Sequence, residues 1–189
     1  TNQPIHPPRN EGDLMRIENE EQPFHPIYNY ALVTDAEEGL ILVDVNTPAD
    51  GLPRNNFLKR ALTWNDGNVL DGARHITIAG YIVYITTPNA LVVLDLNDPL
   101  SPKLINRIKM TDPRASALQF RYLFVTDQDG LKIFDATSPS NISSSPVASV
   151  ALNDAKKVYV ARTYAYVAAG KDGLAIINVK NPEKPALYE

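Results

Sequence analysis

Three observations predict an all-β chain of repeated four-stranded antiparallel sheets, the blades of a β-propeller. One apolar strand pattern occurs four times, with a Leu, an Asp or Asn and a Pro at constant offsets. A second strand-like run and a short polar turn precede each copy, so each reads as a hairpin. The copies recur at roughly the 40–45-residue spacing of a propeller blade.

The four copies are Gly39-Leu-Ile-Leu-Val-Asp44, Ala90-Leu-Val-Val-Leu-Asp95, Gly130-Leu-Lys-Ile-Phe-Asp135 and Gly173-Leu-Ala-Ile-Ile-Asn178. Leu40, Leu91, Leu131 and Leu174 lie four positions before the final Asp or Asn, and Pro48, Pro99, Pro139 and Pro182 lie four after it. The final residues are 51, 40 and 43 positions apart. The apolar runs are continuous rather than alternating, as strands covered on both faces require. The short carboxylate or amide can accept from nearby backbone N–H groups, and Pro stops the strand. The leading Gly suits a left-handed turn residue. The second copy has Ala90 there, and Asn89 is expected to take that role.

The first hairpin strands are expected near Tyr30, Tyr81, Tyr122 and Tyr164, in runs rich in β-branched and aromatic residues. Inner strands are expected from Ala73, Ala115 and Ala155, and outer ones after the proline turns, as from Lys103 and Pro146. The repeat domain is therefore set at 28–189, with hairpins centred on 30–48, 81–99, 122–139 and 164–182. Residues 49–71, with Trp64, read as a long connection. Residues 1–27 hold five prolines and the acidic run Glu18-Asn-Glu-Glu21, and read as an irregular arm. Six to eight blades are usual, so about four blades are expected here as part of a larger ring completed by other sequence.

The pattern Gly-Leu-x-Ile-x-Asp-x-x-x-Pro, with Tyr-Ala-Tyr-Val-Ala-Ala-Gly-Lys-Asp-Gly at 164–173, resembles the LVIVD repeat of bacterial and archaeal β-propellers. The resemblance covers roughly Tyr28 to Glu189. It implies an exported prokaryotic protein, extracellular, cell-surface or periplasmic, with a scaffolding or binding role. It also implies kinship with modules attached to larger extracellular proteins, multihaem cytochromes among them.

Composition excludes several functions. The 189 residues carry 18 Lys and Arg against 22 Asp and Glu, a formal charge of −4. That balance does not suit a protein that displaces phosphate counterions, and no nucleic-acid partner is expected. The chain has no cysteine, which removes disulfides, thiolate metal sites and covalent haem attachment. No apolar run approaches the length of a membrane span.

Candidate site residues are few. His6 and His25 stand in the arm, each before a Pro. They read either as solvated arm residues or as ligands to a partner's metal or haem. His75, in an inner strand, either lines the central channel or is an ordinary strand histidine. Asp127 and Asp129 offer two carboxylates in one turn, a donor type Ca2+ takes. The corresponding loops do not repeat them, which favours a plain hairpin turn. Arg74, Arg114 and Lys156 recur at the start of the inner strands. There they would form a basic ring for an anionic ligand or an acidic loop, or simply be polar residues at strand starts. No nucleophile elbow, His-Glu-x-x-His pair or phosphate loop occurs, so no catalytic residue is assigned. The expectation is a non-catalytic scaffold that binds a protein or carbohydrate partner or the remainder of a larger polypeptide, with no cofactor of its own. Two alternatives stay open: a structural part of an extracellular multihaem cytochrome assembly, and a propeller hydrolase or lactonase with a channel metal.

Overall fold

A computed structural model describes residues 25–47 and 53–188. The strands form four separate antiparallel sheets, each followed by the next in chain order. Blade 1 holds β1 (Tyr30–Asp35), β2 (Gly39–Asp44) and β3 (Lys59–Trp64). Blade 2 holds β4 (His75–Ala79), β5 (Ile82–Thr87), β6 (Ala90–Asp95) and β7 (Lys103–Lys109). Blade 3 holds β8 (Ala115–Gln119), β9 (Tyr122–Asp127), β10 (Gly130–Asp135) and β11 (Ala148–Ala151). Blade 4 holds β12 (Lys157–Ala161), β13 (Tyr164–Ala168), β14 (Leu174–Asn178) and β15 (Ala186–Leu187). The inner strands stand side by side, β4 against β8 and β8 against β12. The stretch read as a long connection contains β3, the outer strand of blade 1, paired with β2. Among the described residues, blade 1 has no inner strand before β1. The acidic run and His6 lie outside the described residues.

The repeated polar residue has the same task in every blade. Asp44, Asp95, Asp135 and Asn178 each accept, through Oδ1, the backbone N–H two residues on, at 2.7–3.0 Å. The residue between donates its own N–H back across the hairpin: Val45 to Asn29, Leu96 to Tyr81, Ala136 to Arg121 and Val179 to Thr163. A short side chain that satisfies one amide while the next continues the ladder ends the strand without an orphaned donor.

The Gly before the motif Leu is left-handed in blades 1, 3 and 4. At Gly130 (φ +138°) a Cβ would lie 2.1 Å from the Val150 carbonyl oxygen. Blade 2 differs from expectation, because neither Asn89 nor Ala90 is left-handed. Its turn is closed by Thr87, whose hydroxyl donates to the Ala90 carbonyl at 3.2 Å.

Each core is shared by two sheets. Leu32, Leu40 and Leu42 of blade 1 face Val83 and Ile85 of blade 2. The equivalent Tyr84, Leu91 and Val93 of blade 2 face Leu123 and Val125 of blade 3. Phe124, Leu131 and Ile133 of blade 3 face Ala165 and Val167 of blade 4. The motif residues are continuous and apolar because alternate side chains serve alternate seams. Each fully buried aliphatic or aromatic residue contributes about 1.5–3 kcal/mol. These seams therefore outweigh any exposed ion pair, worth about 0–1 kcal/mol. Among the described residues no core joins blade 4 to blade 1, and the four sheets make an arc.

Candidate functional site

Inner strands run from an entry rim to the opposite rim, and the next strand of each blade returns. At the entry rim a left-handed residue, a small buried one and a basic one precede each inner strand: Gly72-Ala73-Arg74, Asp112-Pro113-Arg114 and Asp154-Ala155-Lys156. The basic residue's N–H is bonded to the adjacent strand, at Thr86, Thr126 and Ala168 respectively. The backbone thus places all three cations equivalently.

They do not form a bare ring of positive charge. Arg74 donates to Asp112. Arg114 Nε donates to the other oxygen of Asp112 at 2.9 Å, and its Nη1 donates to Asp154 at 2.5 Å and to the Ala155 carbonyl at 3.2 Å. Lys156 Nζ lies 3.4 Å from Asp154. Acids and bases alternate across three blades. The hydrogen bond from Arg74, with that from Arg114, holds the Asp112 carboxyl below its ordinary pKa. Arg114, then Lys156, does the same for Asp154, and the bond to Asp154 raises Arg114. A second set of seam contacts lies beneath. The Thr86 hydroxyl donates to the Arg114 carbonyl at 3.1 Å, and the Thr126 hydroxyl to the Lys156 carbonyl at 3.1 Å. The interleaved carboxylates were missed in the sequence, although their offset, two before the base, was visible in both copies.

His75 bridges strands. Its Nδ1 accepts the Ser116 N–H at 3.2 Å, beside the Thr77–Ser116 hydroxyl pair at 2.7 Å. Burial, then Lys157, pushes its imidazole pKa down. His25 caps the turn Pro26–Asn29 by accepting the Ile27 N–H at 3.2 Å, and its ring stacks on Tyr81 at 5.6 Å. Asp127 is buried, and its Oδ1 accepts the N–H groups of Asp129 and Gly130 at 2.8 and 2.9 Å. Its other oxygen lies 3.9 Å from Lys132 Nζ. That carboxylate is occupied by its own turn. Among the described residues no three His, Asp or Glu side chains gather where a metal ion would sit. None of the described helices is long and apolar enough to cross a membrane.

The opposite rim carries a feature that the sequence reading missed. The inner-strand hairpins turn through Gly80, Phe120 and Arg162, all left-handed, with φ of +63°, +52° and +54°. Phe120 is 90% exposed. A bulky side chain in that conformation is strained, and here it has no packing to offset the strain. Beside it the Arg121 guanidinium lies over the Tyr122 ring at 4.9 Å, and Tyr122 donates to Glu183 at 2.9 Å. Away from these residues, towards the entry rim of blade 4, a cleft of about 760 Å³ opens along β14 and β15, lined in part by Gln128, Asn153, Asp172, Leu174 and Tyr188.

The LVIVD repeat, as a family model, matches residues 28–50, 72–109 and 153–189, more than half the chain. No curated protein matches the sequence. The fold is similar to a functionally unknown protein from Desulfotomaculum acetoxidans DSM 771, with TM-score 0.67 and 13% identity over 86% of this chain and 52% of that one. It is similar to the computationally designed Ika8 protein (TM-score 0.58, 10% identity, 80% of this chain, 43% of that one). It is also similar to the N-terminal domain of Nup159, a β-propeller (TM-score 0.57, 11% identity, 85% of this chain, 41% of that one). The chain spans about half the length of these solved structures, and at such identities the likeness speaks for fold alone. The chain belongs to the LVIVD-repeat family, and its sheets are blades of a β-propeller.

Proposed function

We propose that this is a non-catalytic interaction module, a rigid arc that presents its opposite rim to a protein or carbohydrate partner. The observation that carries the reading is Phe120. A left-handed, almost fully exposed aromatic beside Arg121 and Tyr122 is costly to the free chain and useful only in contact with something else. The repeated polar residues support the same view from the other side. The motif Asp and Asn residues close turns, and Asp112 and Asp154 offset two of the three charges of Arg74, Arg114 and Lys156. An exported or cell-surface prokaryotic setting is the one the repeat family implies. Cross-linking mass spectrometry in the native source tests the role, comparing the chain with its Phe120→Gly variant. The expected result is cross-links from Arg121 and Arg162 to one partner, lost in a variant that still folds. Recovery of the chain with no foreign protein or glycan attached overturns the proposal.

A further inference from the structure

One motif position breaks the pattern of the blades. The residue after the motif Leu is apolar in three of them, as Ile41, Val92 and Ala175, and is Lys132 in blade 3. Lys132 lies on the same face of β10 as Phe134, two residues on, which is buried in the core with blade 2. An ammonium therefore stands in the seam between blades 2 and 3, its side chain only 23% exposed. Among the described residues it has no hydrogen-bonded acceptor, and its ion partner, Asp127 Oδ2, is 3.9 Å away. The turn takes Oδ1 of Asp127 and leaves Oδ2 to Lys132, on a side chain 7% exposed. Both groups border an open cavity of about 180 Å³, with Asp129 beside them and Met110, Phe134 and Pro146 as its apolar wall. The Asp129 carboxylate makes no hydrogen bond or ion pair among the described residues.

We propose that this cavity binds a free α-amino acid with an apolar side chain, such as leucine. The ligand carboxylate accepts from Lys132 Nζ, its ammonium donates to Asp127 Oδ2 and Asp129, and its side chain lies against Met110 and Phe134. Only a zwitterion satisfies both kinds of charge at once. A simple carboxylate meets the net negative charge of the site, and a simple amine leaves Lys132 without an acceptor. The two ionic groups of an amino acid sit on one carbon, which suits an acid and a base as close together as Asp127 and Lys132. Size agrees: an apolar cavity of about 150 Å³ holds benzene, so about 180 Å³ takes one amino acid and no peptide. Met110 is the adaptable part of the wall. The walls belong to blades 2 and 3, inside the arc, so the inference is independent of the arc's ends and of the binding role at the opposite rim.

Calorimetric titration of the 189-residue chain with L-leucine tests it. The expected result is saturable one-to-one binding. N-acetyl-L-leucine and L-leucine amide each lack one charge, glycine lacks the apolar tail, and all three should bind at least about tenfold more weakly. Lys132→Met keeps the stem and removes the ammonium, at a position that is apolar in the other blades. It should fold like the parent and bind leucine at least about tenfold more weakly. Leucine should raise the melting temperature of the parent and leave that of Lys132→Met unchanged, which reads folding and binding together. Asp129→Asn, a change at an exposed side chain, should also weaken binding. Were Lys132→Met not to melt cooperatively, Asp129→Asn would decide alone. No saturable heat up to millimolar leucine, equal binding of the capped forms, or undiminished binding by either folded variant overturns the proposal. Because the titration is read without any macromolecular partner, its failure leaves the role of Phe120 standing.

Discussion

Phe120 and Gly80 hold the same left-handed place in successive blades, but only Gly adopts it without steric cost. Phe120→Gly should therefore raise stability by about 1 kcal/mol in denaturant unfolding, less whatever Gly costs in chain entropy. A loss of stability would show that the ring is packed and not merely displayed. The entry-rim carboxylates and His75 make a second expectation at this scale. Asp112 and Asp154 have depressed folded-state pKa values, so their stabilisation is present above the ordinary Asp range and is lost as pH falls through the folded values. His75 is also depressed, and its neutral folded form loses ground as pH falls below about 6.5, where the unfolded imidazole takes up a proton. All three contributions fall in the same direction. Thermal stability should fall in two stages on acidification, first near neutrality and again below about pH 4. Asp112→Asn together with Asp154→Asn should shrink the second stage to the part carried by Asp35 and Asp135, whose carboxyls are depressed by their own turn hydrogen bonds, and His75→Gln should flatten the first.

Strands and turns were legible in proportion to how local their causes are. The motif Asp closes a turn with an amide two residues away, so its role follows from spacing alone, and all four copies obeyed it. The third copy, Gly130 to Asp135, lies outside the segments that match the family and still forms β10 in the common register. β3 was missed because its run, Lys-Arg-Ala-Leu-Thr-Trp, is mostly solvent-facing and offers little apolar signal. The alternating ladder was half-legible. The cations share an offset in sequence, but that Arg114 reaches Asp154 depends on how far apart adjacent sheets stand. Two substitutions probe this scale. Thr126→Val removes a buried hydroxyl that donates towards the Ala115 and Lys156 carbonyls and should cost about 1–3 kcal/mol in chemical denaturation. Gly130→Ala adds backbone strain and a clash with the Val150 carbonyl, and should exceed about 2 kcal/mol. If the Ala variant were as stable as the parent, the tight β10–β11 approach would be wrong.

For the molecule as a whole, the decisive fact is that no sheet owns its interior. Blade 3 contributes one side to the core with blade 2 and the other to the core with blade 4. Such a design behaves as a chain of nearest neighbours, in which stability resides in the joints. The sequence signalled this through runs that are apolar on both faces. It could not signal which joints are formed within one polypeptide, since a motif Leu at an end looks the same as one in the middle.

Identical joints make the modules exchangeable. Excision of residues 112–153 would join Thr111 to Asp154 at matching points of the repeat. Arg74 would then reach Asp154, and the Thr86 hydroxyl would meet the Lys156 carbonyl. The ridge of Tyr84, Leu91 and Val93 would settle on Ala165 and Val167, a slightly smaller counterpart than it has now. A shortened three-sheet protein with a β-type circular dichroism spectrum and one cooperative melt is the expected product. A lineage carrying this pattern could lengthen or shorten by duplication or loss of whole units, with no new interface to invent.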